Sequence, residues 1–391
     1  MRLKNFQEAH RLFKEGKNKT QIAKYLEVSR PTVIQWLRQK TYQETRGWRE
    51  GRARKYHNPA TAKRICSLKQ QRIDHNYFVG SDHVQKDYAQ RFRDVVPSTR
   101  YIDRVVREAG LQTRTPKQKR RGGGSVYLLY PVQCIANLRG VHQSGDFIGK
   151  KYIAGSSDPV NIFSTSYYRP FKLYQIQRIL AETSACAIEV LKEQWKRYPI
   201  PNVFRLDNAL QFRGTGSGKR AIGTFLKFLL NLRVTPLFGS PSKPWTNPHV
   251  EGHNRVFNEK VWGKNWFTNH GQIDTECGRF NQESQELLQF KYGPLIFNSN
   301  FDYLEPKRKI VTDRLETTKG KKIHLIRFVE SLDQRRTARI IILNEMVSVP
   351  VQYTHQFVFA EWDLEQETLS MYSEYQKVIT LIKQMKFRIN L

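Results

Sequence analysis

Three acidic residues stand in a chain that otherwise avoids acid. Asp146 lies within Ser144-Gly145-Asp146-Phe147-Ile148, Asp207 follows the short run Val203-Phe204-Arg205-Leu206, and Glu251 follows Asn247-Pro248-His249-Val250. Two aspartates on strands and one glutamate opening a helix form a set that can converge on a pair of divalent cations. Such a pair stabilises both the attacking and the leaving oxygen of a phosphodiester, and carboxylates are the hard ligands that Mg²⁺ prefers. Taken singly, each residue has a plainer reading. Asp207-Asn208 reads as an ordinary turn, and Glu251 as a favourable first-turn acid. The order of the elements around them sets them apart. Asp158 competes with Asp146 for the first position, although Ser156-Ser157-Asp158-Pro159 reads as a turn rather than a strand interior.

The rest of the composition points to a polyanionic partner. The 391 residues carry 66 Lys plus Arg against 35 Asp plus Glu, a formal net charge of +31. A protein this basic most often binds nucleic acid. No apolar run approaches the ~20 residues of a membrane span, and Met1-Arg2-Leu3-Lys4-Asn5 lacks the apolar core of a signal peptide. The expectation is a soluble intracellular protein without a membrane partner. Cys66, Cys134, Cys186 and Cys277 are widely spaced and form no Cys-x-x-Cys pair, which argues against a disulfide framework or a zinc site.

The length calls for three or four modules. Residues 1–41 read as a helix-turn-helix unit. Phe6, Ala9, Leu12 and Phe13 share one helical face, and Ile22, Ala23 and Leu26 form the inner face of a second helix. Ser29 caps a third helix with Pro31 in its first turn, and Val33, Ile34 and Leu37 point inward. That leaves Arg30, Thr32, Gln35 and Arg38 outside, side-chain types that read base edges in the major groove. Residues 42–59 form a basic linker in which Arg46 and Arg52 are placed to lie along phosphates. Residues 60–115 read as a second helix-turn-helix unit, whose last helix exposes Arg100, Arg104 and Arg107. A basic Gly-rich linker, 116–130, follows.

From there the pattern changes. Strands are expected at 140–148, 159–168 and 171–176, then a long amphipathic helix at 179–198 that includes Leu180. A short strand at 203–206, a helix at 222–232, a strand at 233–238 and a helix at 250–262 complete a core over 131–300. Three strands, a helix, then alternating strands and helices is the order of an RNase H-like mixed α/β sheet. Residues 301–391 read as short strands forming a small C-terminal β-barrel, with 378–389 ambiguous between helix and strand.

Leu206-Asp207-Asn208 before Phe212, and Ser240-Pro241 to Pro244-Trp245 followed by Val250-Glu251, resemble the integrase core of DDE transposases and retroviral integrases. The resemblance is strongest over residues 140–270. The flanking helix-turn-helix units and terminal barrel resemble insertion-sequence and bacteriophage Mu-type transposases. Ala209 and Pro248 replace glycines common in the family, and the 43 residues between Asp207 and Glu251 exceed the retroviral spacing, the surplus falling in the Gly-rich stretch 213–220. The resemblance implies that Asp146, Asp207 and Glu251 hold two Mg²⁺ ions, with Mn²⁺ as a substitute. It implies double-stranded DNA as partner, both element ends and target, a homo-oligomer assembled on that DNA, and a cytoplasmic, nucleoid-associated place in a prokaryotic cell. Asn254, Arg255 and Asn258 lie three, four and seven positions beyond Glu251 and are expected to face the DNA being cut. Two other readings stay open: a transposase-derived DNA-binding regulator with an idle site, and a ribonuclease H.

Overall fold

The computed structural model describes residues 2–39, 41, 58–75, 78–113, 130–214, 218–243, 247–293, 301–332 and 337–390. The chain divides into two units, Met1–Lys63 and Arg64–Leu391.

The first unit holds α1 (Arg2–Lys14), α2 (Lys19–Tyr25) and α3 (Arg30–Leu37). Asn18 and Gln21 form a capping box at the start of α2, and the Ser29 side chain accepts from Thr32 N at the start of α3. The four residues between α2 and α3 match the short turn of a helix-turn-helix. Phe6, Ala9, Leu12, Ile22, Ala23, Val33 and Trp36 make its core. Phe13, expected inward, is 46% exposed. Ile34 and Leu37 are only half-buried. Trp36, three positions from Val33, fills the inner face in their place.

The second unit contains α4 (Pro59–Asp74) from Arg64 onward, α5 (Ser81–Arg91), α6 (Thr99–Glu108) and α7 (Val132–Ala136). Then follow β1 (His142–Tyr152), β2 (Pro159–Arg169), β3 (Leu173–Ile179), α8 (Ser184–Trp195), β4 (Val203–Leu206), α9 (Leu210–Arg213), α10 (Thr224–Asn231) and β5 (Thr235–Phe238). After α11 (Pro248–Lys260) and α12 (His270–Tyr292) come β6 (Lys322–Phe328), β7 (Glu330–Leu332), β8 (Thr337–Ile342), β9 (Glu345–Val349), β10 (Phe357–Asp363), β11 (Thr368–Tyr375) and β12 (Val378–Lys386).

Nine of these strands form one mixed sheet in the order β12-β11-β10-β6-β5-β4-β1-β2-β3. The central strands β4 and β5 are short, mostly apolar apart from Arg205, and almost wholly buried, as parallel strands covered on both faces are. On one face Trp195 of α8 stacks on Phe228 of α10 at 5.4 Å above Phe204. On the other, Phe257 of α11 and Ile273 and Phe280 of α12 pack over Ile148, Ile162 and Ile176. Buried Gln143 of β1 accepts from the Trp195 indole and donates to Gln194, which also accepts from Thr165 of β2, so the polar groups beneath α8 are paired.

The structure overturns two expectations and adds to the sequence reading at two further points. The helix expected at 179–198 begins only at Ser184, capped by Thr183, because β3 continues to Ile179; Leu180 is 87% exposed. The 23-residue α12 was not foreseen. It covers the sheet edge: Asn281 pairs with both the N–H and the C=O of Ile176, and the Ser284 hydroxyl accepts from Tyr174 N. The strands expected as a separate barrel do not stand apart. β6 runs parallel to β5 with Leu237 opposite His324, and β10, β11 and β12 continue the same sheet. The small sheet β7-β8-β9 packs onto them through a shared apolar core. The ambiguous segment after residue 378 is a strand, β12.

The helices read as a second DNA-binding module are likewise docked rather than free. Lys86 of α5, 2% exposed, reaches Glu283 at 3.3 Å and also pairs with Glu286, both on α12. His83 and Arg72 converge on the same Glu283 at 3.3 and 3.6 Å, and Phe78 packs in a tilted contact against Phe280 at 5.0 Å. The loop between α5 and α6 spans seven residues, longer than the usual helix-turn-helix turn. No described helix is long and apolar enough to cross a membrane.

Burial pushes the Glu283 carboxyl up, but His83, Arg72 and Lys86 outweigh it and hold it at about 2. The stability this group contributes is therefore full above the ordinary value of 4.5 and lost as pH falls toward about 2. Glu283→Gln should cost about 2 kcal/mol at neutral pH, less than the ~3–5 kcal/mol of a lone buried pair because Lys86 keeps Glu286. Urea unfolding of the variant should depend less on pH between 4.5 and 2 than that of the wild type.

Candidate active site: a cleft lined by three carboxylates

Strand alternation aims Asp146. It follows Ser144, which pairs with Arg205 of β4, by two residues on the same face, while Phe147 turns to the opposite face and stacks on Phe212 at 5.0 Å. The residue before it has to be glycine. A Cβ at Gly145 would lie 2.7 Å from the Phe204 ring and 3.1 Å from Phe163. Asp207 leaves the end of β4, where its Oδ1 accepts from Ala209 N at 3.0 Å in an Asx turn. Asn208, next in the chain, donates to Gly239 O at 2.7 Å and accepts from Arg327 of β6 at 2.9 Å.

Glu251 lies in the first turn of α11, behind Pro248. The helix is anchored by His253, whose Nδ1 meets the Ser164 hydroxyl at 2.9 Å, directly across the sheet from Asp146. Burial pushes the His253 imidazole down to about 3, so it stays neutral, stacked on Tyr174 at 4.4 Å. One turn on from Glu251, Asn254 donates to Asp146 Oδ2 at 2.9 Å.

Asp146, Asp207 and Glu251 thus line one cleft of about 520 Å³, together with Asn247, Lys243 and Arg327. Burial first, then the charges of Asp207 and Glu251, pushes the Asp146 carboxyl up to about 8. Asp207 is raised by burial, and Glu251 by burial and by Asp207. None of the three has a Lys or Arg partner among the described residues. Nor do any three His, Cys, Asp or Glu side chains there close on a single point. Hard oxygen donors that repel one another are the ligand type that hard divalent cations take.

The remaining expected residues separate. Asn254 was expected to face DNA; it is buried and holds Asp146 instead. Arg255 is exposed and lies 3.7 Å from Glu259 of its own helix. Asn258 is half-buried, with its Oδ1 unpartnered. On α3, Arg30, Gln35 and Arg38 are exposed, while Thr32 is half-buried with its hydroxyl on Ser29. On α6, Arg100 and Arg107 are exposed and Arg104 lies over the Tyr101 ring at 5.1 Å. Arg46 and Arg52 lie outside the described residues. Sequence reasoning missed His253, Asn208 and Arg327. Of these, only Asn208 stood inside a motif already singled out.

In the metal-free protein the Asp146 carboxyl should titrate near about 8, followed by its ¹³C resonance. Asp207→Asn should lower that midpoint by removing a like charge, and Asn254→Ala should raise it by removing a hydrogen bond to the ionised form. A midpoint in the ordinary aspartate range would show that the three carboxyls do not share a desolvated cleft.

No family model matches this chain, and no curated protein does. Among solved structures, a chain of the cryo-EM structure of the simian T-cell lymphotropic virus intasome in complex with PP2A regulatory subunit B56 gamma is similar at a TM-score of 0.30 and 12% identity, over 81% of this chain and 95% of that one. A TM-score that low does not establish a common fold.

Proposed function

We propose that this chain is a DDE-type DNA transposase or integrase with an RNase H-like core. The observation that carries the proposal is that Asp146, Asp207 and Glu251, from two neighbouring strands and one helix start, line one cleft, none of them with a Lys or Arg partner among the described residues. The three carboxylates would hold two Mg²⁺ ions, or Mn²⁺ in their place, which when bound supply charge stabilisation at the attacking and leaving oxygens. Asn254 orients Asp146, and the Ala209 amide orients Asp207. Water opens the phosphodiester at an element end and leaves a 3′-hydroxyl. That hydroxyl then attacks target DNA, with no covalent bond to the protein.

Sequence-specific binding is assigned to α3 through Arg30, Gln35 and Arg38, with Thr32 at the rim. Arg46 and Arg52 are assigned to phosphates. The α6 arginines Arg100, Arg104 and Arg107 add a basic face carried by the catalytic unit. Arg255 and Asn258 are assigned to DNA beside the cleft. Joining two element ends requires at least two protomers on DNA. The other reading is a DNA-binding regulator with an idle site.

Strand cleavage discriminates the two readings. With DNA flanking the coding sequence as substrate and Mg²⁺ present, the wild type should nick and join. Asp207→Asn and Glu251→Gln should each abolish both activities and retain DNA binding. Nicking by either variant at near the wild-type rate would remove these residues from the chemistry, and an inert wild type would favour the regulator.

The first unit has its own core, so a fragment of residues 1–63 should bind the flanking DNA alone. Its affinity should fall steeply with salt. Replacing Arg30 and Gln35 should relax sequence preference, whereas neutralising Arg46 and Arg52 should weaken all duplexes alike. Equal binding to every duplex would exclude α3 as a reading helix.

A further inference from the structure

Arg327 lies on β6, some 120 residues beyond Asp207, and is only 3% exposed. No carboxylate pairs with it among the described residues. Its guanidinium instead spans three strand ends. Nε donates to Ile341 O of β8 at 2.7 Å, and Nη1 donates to Gly239 O just after β5 at 2.7 Å and to Ile326 O at 2.9 Å. Nη2 donates to the Asn208 side-chain oxygen at 2.9 Å. The Asn208 amide nitrogen then donates to the same Gly239 O at 2.7 Å. Arg327, Asn208 and Gly239 therefore form a closed ring one residue from Asp207, on the wall of the carboxylate cleft.

A buried cation without a counter-charge is costly, and here only carbonyl and amide oxygens offset the lost water. Burial pushes Arg327 down to about 9, which leaves it protonated at neutral pH. A planar fork with five donors can serve four oxygens at once, whereas the point charge of a lysine cannot. The Asp207 side chain has its own local contact, to Ala209 N. The backbone that carries it is tied to the rest of the sheet next door, at Asn208.

We propose that Arg327 is a positioning residue for Asp207, acting through Asn208, so that the C-terminal strands frame a site whose acids all come from the preceding core. The inference rests on the transferase reading only for its consequence on metal binding; the placement of Asp207 is testable without it. Partners that orient metal ligands typically set affinity by about 10–100-fold.

The full chain is compared with Asn208→Ala, Arg327→Lys, Arg327→Met and the double variant Asn208→Ala/Arg327→Met. In metal-free protein the ¹³C carboxyl resonance of Asp207, assigned through Asp207→Asn, should move in both Asn208→Ala and Arg327→Lys while the melting temperature of Asn208→Ala stays near wild type. Mn²⁺ binding followed by electron paramagnetic resonance should weaken about 10-fold in each. The double variant should weaken it hardly more than either single change, because both break one ring. An unmoved Asp207 resonance in folded Asn208→Ala overturns the proposal, as does Mn²⁺ binding within 2-fold of wild type in a background where Asp207→Asn abolishes it. If the wild type binds no Mn²⁺ and cleaves no DNA, the transferase reading fails, and the Asp207 resonance still decides the positioning role. Should Arg327→Met fail to fold, Asn208→Ala and Arg327→Lys carry the test.

Discussion

Three carboxyl groups facing one cleft repel one another, and none of them has a lysine or arginine partner among the described residues. Asp146 and Asp207 are half-buried and Glu251 is exposed, and Asp146 bears the largest cost, held at about 8 where a free aspartate would be near 3.8. Such an arrangement costs stability and has to be held by structure that does not depend on it. The surrounding core meets that need. Gly145 admits the Phe204 ring beside Asp146, Phe147 locks the opposite face, and His253 pins the glutamate helix to β2 through Ser164. The strain is local, and these three contacts are apolar or neutral, so they do not weaken when the acids change charge.

Those supports reach the site from three directions. β1 and β4 bring the aspartates into register, α11 brings Glu251 and ties back to Asp146 through Asn254, and β6 secures the loop after β4 through Arg327. The nine-stranded sheet is thus one frame shared by the core and the C-terminal strands. On its far side, α12 satisfies the open backbone groups of β3 and receives the α5 lysine, so the helical module is part of that frame too.

Much of this was legible in the residues. The capped helix α3 followed from Ser29 ahead of helical apolar spacing, and α2 from the spacing of Ile22, Ala23 and Leu26. The central strands followed from short apolar runs ending at Asp207 and Phe238. α12 escaped because its buried stripe, Ile273, Cys277, Phe280, Ser284 and Leu288, is diluted by polar residues and includes a serine that works on the edge of β3. The extension of the sheet through β6 escaped because alternation within a strand says which face is buried, not which strand lies beside it. Asn254 looked like a DNA contact because its partner is 108 residues away, and Arg327 drew no notice because its partners are backbone oxygens and an amide. Sequence pattern reveals what an element does locally and is silent on hydrogen bonds closed across the fold.

The pairing of β5 with β6 also governs how the protein can be made. β5 ends at Phe238 and β6 begins at Lys322, so one side of the central sheet waits for about 80 further residues. At ~5–20 residues per second, a ribosome leaves that edge bare for roughly 4–16 s. An unpaired apolar strand is a template for another chain. During that interval a nascent protein has its aspartate strands in place but lacks the arginine that secures the loop between them and the edge. A chain that stops before β6 thus carries the aspartates without Arg327 on the loop that follows β4.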